Sequence, residues 1–108
     1  MFGLAGGMLV KVDRPTTMKT RVVARSQQLV RVDEEEDADL DGAAVARLTD
    51  AVERAIDDAD ALVLEDYNKG VLVPAVIEHG VRLARTKGIP VVVDPKFRNF
   101  FAYRGATV

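Results

Sequence analysis

The chain has 108 residues, a formal net charge of -2 and no cysteine. This length suffices for one domain that buries roughly two-thirds of its unfolded surface, and it is too short for two ordinary domains. Hydrophobic residues make up 48% and charged residues 30%, which is typical of a globular protein and excludes a disordered chain. The absence of cysteine excludes disulfides and thiolate metal sites.

The sequence gives no sign of a membrane protein or of an exported one. No apolar run approaches the ~20 residues that a membrane-spanning helix needs. The opening stretch "MFGLAGGMLV" is short and lacks the basic start of a secretory signal. We therefore expect a cytoplasmic protein that does not contact a membrane.

Charge is unevenly distributed along the chain. Residues 1–31 hold six Lys or Arg against one acid, whereas residues 33–41 hold seven acids and no base. The acidic run lacks the ordered ligand spacing of a metal site, so we interpret it as a solvated loop that leads into a helix. Because the overall balance is acidic, the sequence argues against a nucleic-acid partner.

Two short β segments come first in the chain. Residues 22–24 and 29–32 are rich in β-branched side chains. The polar residues 26–28, "SQQ", interrupt them. The pattern predicts a β hairpin or a bent strand.

An amphipathic helix follows the acidic run. Asp41 is a suitable N-cap, and apolar residues recur every three to four positions from Val45 to Ile56. The charged residues of this stretch fall mostly on the opposite face. The pattern predicts a helix that ends near Asp58.

The second half of the chain predicts a strand, a helix and a second strand. Residues 61–64, "ALVL", and 89–94, "IPVVVD", are continuous apolar runs of the kind that buried parallel strands show. Between them, Pro74 suits the first turn of a helix, and Lys87 and Gly88 suit its end. The connection rule for such βαβ units makes the two strands parallel and adjacent, with the helix on one face.

The last residues predict the start of another strand. "RGATV", residues 104–108, resembles the approach to a strand whose first residues are "ATV". A parallel sheet of two or three strands with two helices would leave one face and both edges poorly covered. We therefore expect residues 1–108 to be the central piece of one larger α/β domain.

Polar side chains gather where the two predicted parallel strands end. Asp66, Lys69 and Gly70 follow the first strand, and Asp94 and Lys96 follow the second. Ligands of open α/β sheets bind at the carboxyl ends of the strands. Lysine ammonium groups suit phosphate, and glycine before a helix permits close backbone approach. The sequence thus predicts a rim that binds a phosphorylated ligand.

Each of these residues also has a purely structural interpretation. Asp66 could cap the loop before the second helix, Lys69 could be solvated, and Asp94 with Pro95 could open a turn. We interpret His79, the single histidine, as a surface residue on the outer face of its helix. Three arginines alternate along the β segments and form either a solvent face or a basic patch: Arg21, Arg25 and Arg31. No Walker loop, paired-histidine motif or Ser/His/Asp set is present.

Three stretches taken together resemble a known family. They are "RPTTMKTRVVARSQQLVRVD", "ALVLEDYNKGVL" and "GIPVVVDPKFRNFFAYRGATV". Their ordered motifs, Lys-Thr-Arg, Gln-Gln-Leu, Asp-Tyr-x-Lys-Gly and Asp-Pro-Lys, closely resemble the D-glycero-β-D-manno-heptose-7-phosphate kinase domain of bifunctional heptose kinase/ADP-heptose synthases. These kinases are ribokinase-like carbohydrate kinases. The resemblance runs from about Arg14 to Val108 and implies a fragment of the ribokinase-like, Rossmann-like three-layer fold.

The resemblance implies an activity, ligands and a set of binding residues. The activity is transfer of the γ-phosphoryl group of ATP, with Mg²⁺, to the anomeric hydroxyl of a heptose 7-phosphate, on the route to ADP-heptose and lipopolysaccharide. By this likeness Lys96 would lie near the ATP phosphates. The remaining residues would bind the sugar phosphate: Lys19, Arg21, Gln27, Gln28, Asp66 and Lys69. The implied partner is a small sugar phosphate, and a homo-oligomer stays open as an alternative to a monomer.

Two motifs of the family are not among these 108 residues. One is an Asn-x-x-Glu motif that helps to organise Mg²⁺ and ATP, and the other is a Gly-Ala-Gly-Asp motif that carries the catalytic base. We therefore assign no catalytic or metal-binding residue to this chain, and we expect it to lack kinase activity by itself. The alternatives are another ribokinase-like sugar kinase and a non-catalytic α/β binding module.

Overall fold

The computed structural model of the chain describes residues 10–108. The interpretation of the first ten residues as lacking a secretory signal therefore falls almost entirely outside the described part. Within residues 10–108, no helix has the length and apolar character needed to cross a membrane. The architecture is α/β, as predicted, with an antiparallel hairpin followed by a parallel βαβ unit.

The first two strands form the predicted hairpin, which is longer than expected. Strand β1 is Met18–Ala24 and strand β2 is Gln27–Glu34, paired antiparallel. Only Arg25 and Ser26 form the turn, and Arg25 has a φ of 55°. Ser26 interrupts the strands as predicted, but the prediction was wrong for Gln27 and Gln28, which belong to β2. A register shift beside Val22 accommodates the extra β2 residue while the ladder continues to the turn.

No residue of the hairpin is buried. All seven residues of β1 and all eight of β2 are exposed. Thr20 pairs with Val32 and Val22 with Val30, so the three valines share one face with Thr20. The other face carries Lys19 and the charged residues near it.

Helix α1 is Gly42–Ile56, and its start matches the predicted cap. The Asp41 carboxylate Oδ1 accepts a hydrogen bond from the Ala44 amide at 2.7 Å. The buried face of α1 carries Ala44, Ala51 and Ile56. At the end of the helix, the Lys87 ammonium donates to three backbone carbonyls, those of Ile56, Asp57 and Ala59. Lys87 therefore ties the end of α1 to the end of the next helix.

The predicted βαβ unit is confirmed. Strand β3, Leu62–Glu65, pairs in parallel with strand β4, Val91–Asp94, and helix α2, Pro74–Lys87, connects them. Gly88 ends α2 with a φ of 78°, in the left-handed region where glycine is favoured. The core of this unit is formed by Ile56, Leu64, Ile77, Val81, Ala84, Val91 and Tyr103.

The predicted approach to a further strand is also confirmed. After a 3₁₀ segment, Phe97–Tyr103, the last residues run beside β4. The Val108 amide donates to the Val91 carbonyl at 3.1 Å, and the Val93 amide donates to the Val108 carbonyl at 2.7 Å. This alternation is the parallel pattern, so β4 lies between β3 and the terminal residues.

One face of this sheet is open, as the sequence predicted. Val63 of β3 lies opposite Val92 of β4, and both point away from the core. Their exposed fractions are 57% and 39%. Parallel sheets are normally covered on both faces, so this pair is an uncovered apolar surface within the described residues.

The interpretation of His79 as a surface residue was wrong. Its side chain is only 19% exposed and lies between α1 and α2. The Nε2 atom is 2.9 Å from the Glu53 carboxylate of α1, and the Arg82 guanidinium lies 2.8 Å from Nδ1. Glu53 of α1 lies against His79, which the sequence pattern assigned to solvent because that pattern describes one helix without its neighbour.

Candidate functional site

A cavity of about 380 Å³ lies where the carboxyl end of β3 meets the base of the hairpin. Lys19 comes from β1, Glu35 directly follows β2, and residues 65–67 together with Lys69 come from the end of β3 and its loop. Val71 and Leu72 add apolar surface. The cavity therefore joins two elements that are distant in the sequence, at the strand end where a ligand site was predicted.

Three of the predicted binding residues meet in this cavity: Lys19, Asp66 and Lys69. Glu35 was not predicted, since it belongs to the acidic run that we interpreted as solvated. Its carboxylate pairs with Lys69 at 2.5 Å and with Lys19 at 3.8 Å. Asp33 is the residue opposite Lys19 in the hairpin, and Glu35 lies two residues beyond it. Because alternate residues of a strand share one side, this spacing was one weak sequence signal that Glu35 lies on the side of Lys19.

Asp33 provides a second acidic partner at the base of the hairpin. Lys19 donates to its Oδ2 at 3.2 Å, and Arg31 lies 3.0 Å from its Oδ1. The Lys19 hydrogen bond is the main cause that lowers the pKa of Asp33 below its usual 3.8, and the charge of Arg31 adds to it. The rim of the cavity thus has alternating charges, with each ammonium held by a carboxylate.

Asp66 is the most buried charged residue of the site, at 4% exposure. Its Oδ2 accepts a hydrogen bond from the Tyr103 hydroxyl at 2.6 Å, and its Oδ1 accepts one from the Asn68 amide at 2.8 Å. Asn99 donates to the Leu72 carbonyl at 2.7 Å and lies 3.4 Å from the same carboxylate. The structural interpretation of Asp66, that it orders the loop before the second helix, is confirmed, while its contact with a ligand stays a prediction.

Tyr103 was missed by the sequence interpretation, although it is only 8% exposed. Burial, followed by the hydrogen bond to the Asp66 carboxylate, raises the pKa of the Tyr103 hydroxyl well above its usual value of 10.0. The hydroxyl therefore stays protonated and donates. It fixes the loop after β3 to the 3₁₀ segment after β4.

The loop after β3 has a tight backbone path. Asn68 has a φ of 54° and Gly70 a φ of 71°, in the left-handed region that asparagine and glycine tolerate best. A Cβ atom on Gly70 would lie 1.9 Å from the Ala38 carbonyl oxygen. The Gly70 carbonyl also accepts from the Leu40 amide at 2.9 Å. The close approach predicted for Gly70 is therefore that of the acidic segment, which this contact holds against the site.

Four predicted binding residues do not line the cavity. Arg21 lies opposite Arg31 in the middle of the hairpin, and Gln27 and Gln28 lie at the start of β2, beside the turn. Lys96 follows the end of β4, as predicted, and directly precedes the 3₁₀ segment. Their roles in binding stay predictions.

Lys96 differs from the lysines of the cavity in its electrostatic surroundings. It is exposed, and no carboxylate of residues 10–108 lies within 4 Å of its ammonium group. An unpaired ammonium at a strand end fits an anionic phosphate. A metal site is not evident in the described part of the chain, because residues 10–108 contain no cluster of three or more potential His, Cys, Asp or Glu ligands.

Known proteins are similar to this sequence along nearly its whole length. The bifunctional protein HldE of Azorhizobium caulinodans is 50% identical over 101 residues, which cover 94% of this chain and 21% of that protein. The proteins of the same name from Granulibacter bethesdensis and Caulobacter vibrioides are each 45% identical, over 97% and 98% of this chain and 22% and 21% of their own lengths. The chain thus spans about a fifth of the length of these curated relatives.

These matches confirm the resemblance to bifunctional heptose kinase/ADP-heptose synthases that the ordered motifs predicted. No family model matches the chain. The matched stretch contains both strand ends and the hairpin, and therefore every residue of the cavity described above.

Proposed function

We propose that this chain is the central part of a ribokinase-like kinase domain, and that the complete protein phosphorylates D-glycero-D-manno-heptose 7-phosphate at its anomeric hydroxyl. The product would serve the synthesis of ADP-heptose for lipopolysaccharide. Similarity to HldE proteins along 94% of the chain supports the family. The observation that supports the proposed site is that Lys19, Asp66 and Lys69 line one cavity at the end of β3.

In this proposal the two lysines bind the phosphate of the sugar. Lys19 and Lys69 come from different elements and present ammonium groups to the same cavity. A phosphate placed between them would accept charge-assisted hydrogen bonds from both. Asp66 acts differently, because its carboxylate is held by Tyr103 and by the Asn68 amide. We assign it a positioning role, in which it fixes the loop that carries Lys69.

The nucleotide would lie beyond the other strand end. We propose that Lys96 neutralises charge on the ATP phosphates, in keeping with its exposed ammonium, which has no ion pair among residues 10–108. ATP supplies the phosphoryl group, and Mg²⁺ neutralises phosphate charge in reactions of this class. Residues 10–108 contain no cluster suited to Mg²⁺, and we propose that the metal ligands and the catalytic base come from outside them.

The test is a kinase assay on a complete protein that contains this chain. Incubation with ATP and D-glycero-D-manno-heptose 7-phosphate should give the 1,7-bisphosphate, identified by phosphorus NMR. Lys69→Ala should raise the KM for the sugar phosphate about tenfold to a hundredfold, the range expected for a lost hydrogen bond to a charged group. Lys96→Ala should raise the KM for ATP instead.

The matched control is Lys11→Ala, which removes the same charge at an exposed position outside the cavity. It should leave both KM values unchanged. A protein that uses ATP but phosphorylates only other sugars would refute the substrate. Unchanged KM values in both Lys69→Ala and Lys96→Ala would refute the assigned site.

A further inference from the structure

The cavity holds one carboxylate between two ammonium groups. Glu35 Oε1 is 2.5 Å from Lys69 Nζ, and Glu35 Oε2 is 3.8 Å from Lys19 Nζ. The lysines belong to separate elements, and Glu35 is the acid that contacts both. An anion is therefore already present at the place where two cations converge.

A more highly charged anion can replace Glu35 in its contacts with the two lysines. The side chains of Lys19, Glu35 and Lys69 are 41%, 27% and 33% exposed, so solvent screens their attraction, and ion pairs of this exposure contribute little net stability. A carboxylate carries one negative charge. A phosphate monoester carries about 1.5 to 2 near neutral pH and offers three acceptor oxygens. It would satisfy both lysines better than Glu35 does.

We infer that Glu35 is a specificity-determining residue that occupies the phosphate position between Lys19 and Lys69 until a phosphorylated ligand displaces it. The identity of the ligand as a sugar phosphate rests on the proposed function, whereas the displacement rests on the three side chains alone. A neutral sugar cannot take this position, because it would leave two ammonium groups without an anion. Glu35 therefore makes entry conditional on a phosphate group.

Two other acidic residues lie near the cavity lysines, and they decide which ion pair a phosphate has to replace. Asp33 lies 3.2 Å from Lys19, and Glu65 lines the cavity. Asp33 is also paired with Arg31 at 3.0 Å, so it would keep this ion pair when a ligand binds. Lys69 has no second carboxylate within 4 Å among residues 10–108, and its contact with Glu35 is the one that a phosphate must replace.

Titration of the chain with inorganic phosphate tests this inference. Binding is followed by NMR through the amide signals around Lys69, at constant ionic strength so that general screening stays fixed. Glu35→Gln keeps the size of the side chain and removes its charge. The variant should bind phosphate between about twofold and fivefold more tightly than the wild type, the factor that corresponds to losing an exposed ion pair.

Glu36→Gln is the matched control, because it removes the same charge one residue further along. Glu36 makes no ion pair within residues 10–108 and does not line this cavity. Its phosphate affinity should stay within a factor of about two of the wild type. The inference is overturned if Glu35→Gln binds phosphate no more tightly than the wild type, or if Glu36→Gln gains as much.

A second measurement separates this inference from the proposed function. In the complete kinase, Glu35→Gln should lower the KM for the heptose 7-phosphate by a similar factor while kcat changes little. A raised KM in an otherwise active enzyme would overturn the role of Glu35 and leave the proposed function intact. If the wild-type protein does not phosphorylate this sugar, the proposed function fails, and the phosphate titration still decides the role of Glu35.

Discussion

The hydrogen bond from Tyr103 to Asp66 allows a sharp test of how the site is held together. The variant Tyr103→Phe removes one hydroxyl and keeps the ring, so it leaves no large cavity in the core. The bond is 2.6 Å long, and the two residues are 8% and 4% exposed. The change therefore isolates one hydrogen bond to a buried carboxylate.

The expected loss of stability follows from this geometry. A hydrogen bond to a charged group contributes about 1.5 to 3 kcal/mol. Asp66 keeps the Asn68 amide at 2.8 Å, but Asn99 at 3.4 Å is too distant to replace the hydroxyl. We expect Tyr103→Phe to lower the free energy of unfolding by about 2 kcal/mol.

Equilibrium unfolding in urea measures this loss. The slope of free energy against urea should stay unchanged, since the variant does not alter the surface exposed on unfolding. Tyr67→Phe is the matched control, because Tyr67 is 65% exposed and should change stability by less than about 0.5 kcal/mol. A loss of less than about 0.5 kcal/mol in Tyr103→Phe would refute the reasoning.

The pH dependence gives an independent check of the same bond. The pKa of Tyr103 is raised in the folded chain above its usual value of 10.0. Such a group contributes stability that is fully present below the unfolded pKa and is lost as the pH rises above it. The difference in stability between wild type and Tyr103→Phe should therefore shrink above about pH 10. A difference that stays constant or grows there would contradict the raised pKa.

Three further predictions follow from single contacts. Gly70→Ala should lower the free energy of unfolding by at least about 2 kcal/mol in urea, because its Cβ would meet the Ala38 carbonyl at a positive φ; Gly42→Ala, with open space around it, should not be destabilising. Lys87→Met should lower the melting temperature, because the carbonyls of Ile56, Asp57 and Ala59 at the end of α1 lose their shared donor; an unchanged value would show that water replaces it. Since the pKa of Asp33 is lowered, its contribution to stability is present above pH 3.8 and is lost as the pH falls through the lowered value; an NMR titration midpoint of 3.8 or higher would contradict this.

The elements of this chain could be predicted from its sequence because each one has a local signal. Asp41 marked the start of α1, and Pro74 and Gly88 marked the two ends of α2. The apolar runs of β3 and β4 predicted a parallel pair, since the helix between them imposes that connection. Local signals failed where a neighbouring chain segment decides the outcome, as at His79, which α1 covers.

The polar contacts of the site were less accessible to sequence reasoning. Tyr103 lies 37 residues from Asp66, and Glu35 lies 34 residues from Lys69. No sequence periodicity links the two residues of either pair, because each contact depends on how the hairpin or the 3₁₀ segment is placed against the end of β3. The sequence could therefore locate the strand ends but not the partners that hold their side chains.

The exposed hairpin has a consequence for local opening. All fifteen residues of β1 and β2 are exposed, so little apolar burial opposes the separation of the two strands. The βαβ unit, in contrast, surrounds the fully buried Ile77 and Val91. Amide protons of the hairpin should exchange with solvent through local fluctuations, whereas those of β4 should exchange only when the whole unit opens. The two walls of the cavity therefore belong to parts of the chain that open to solvent at very different rates.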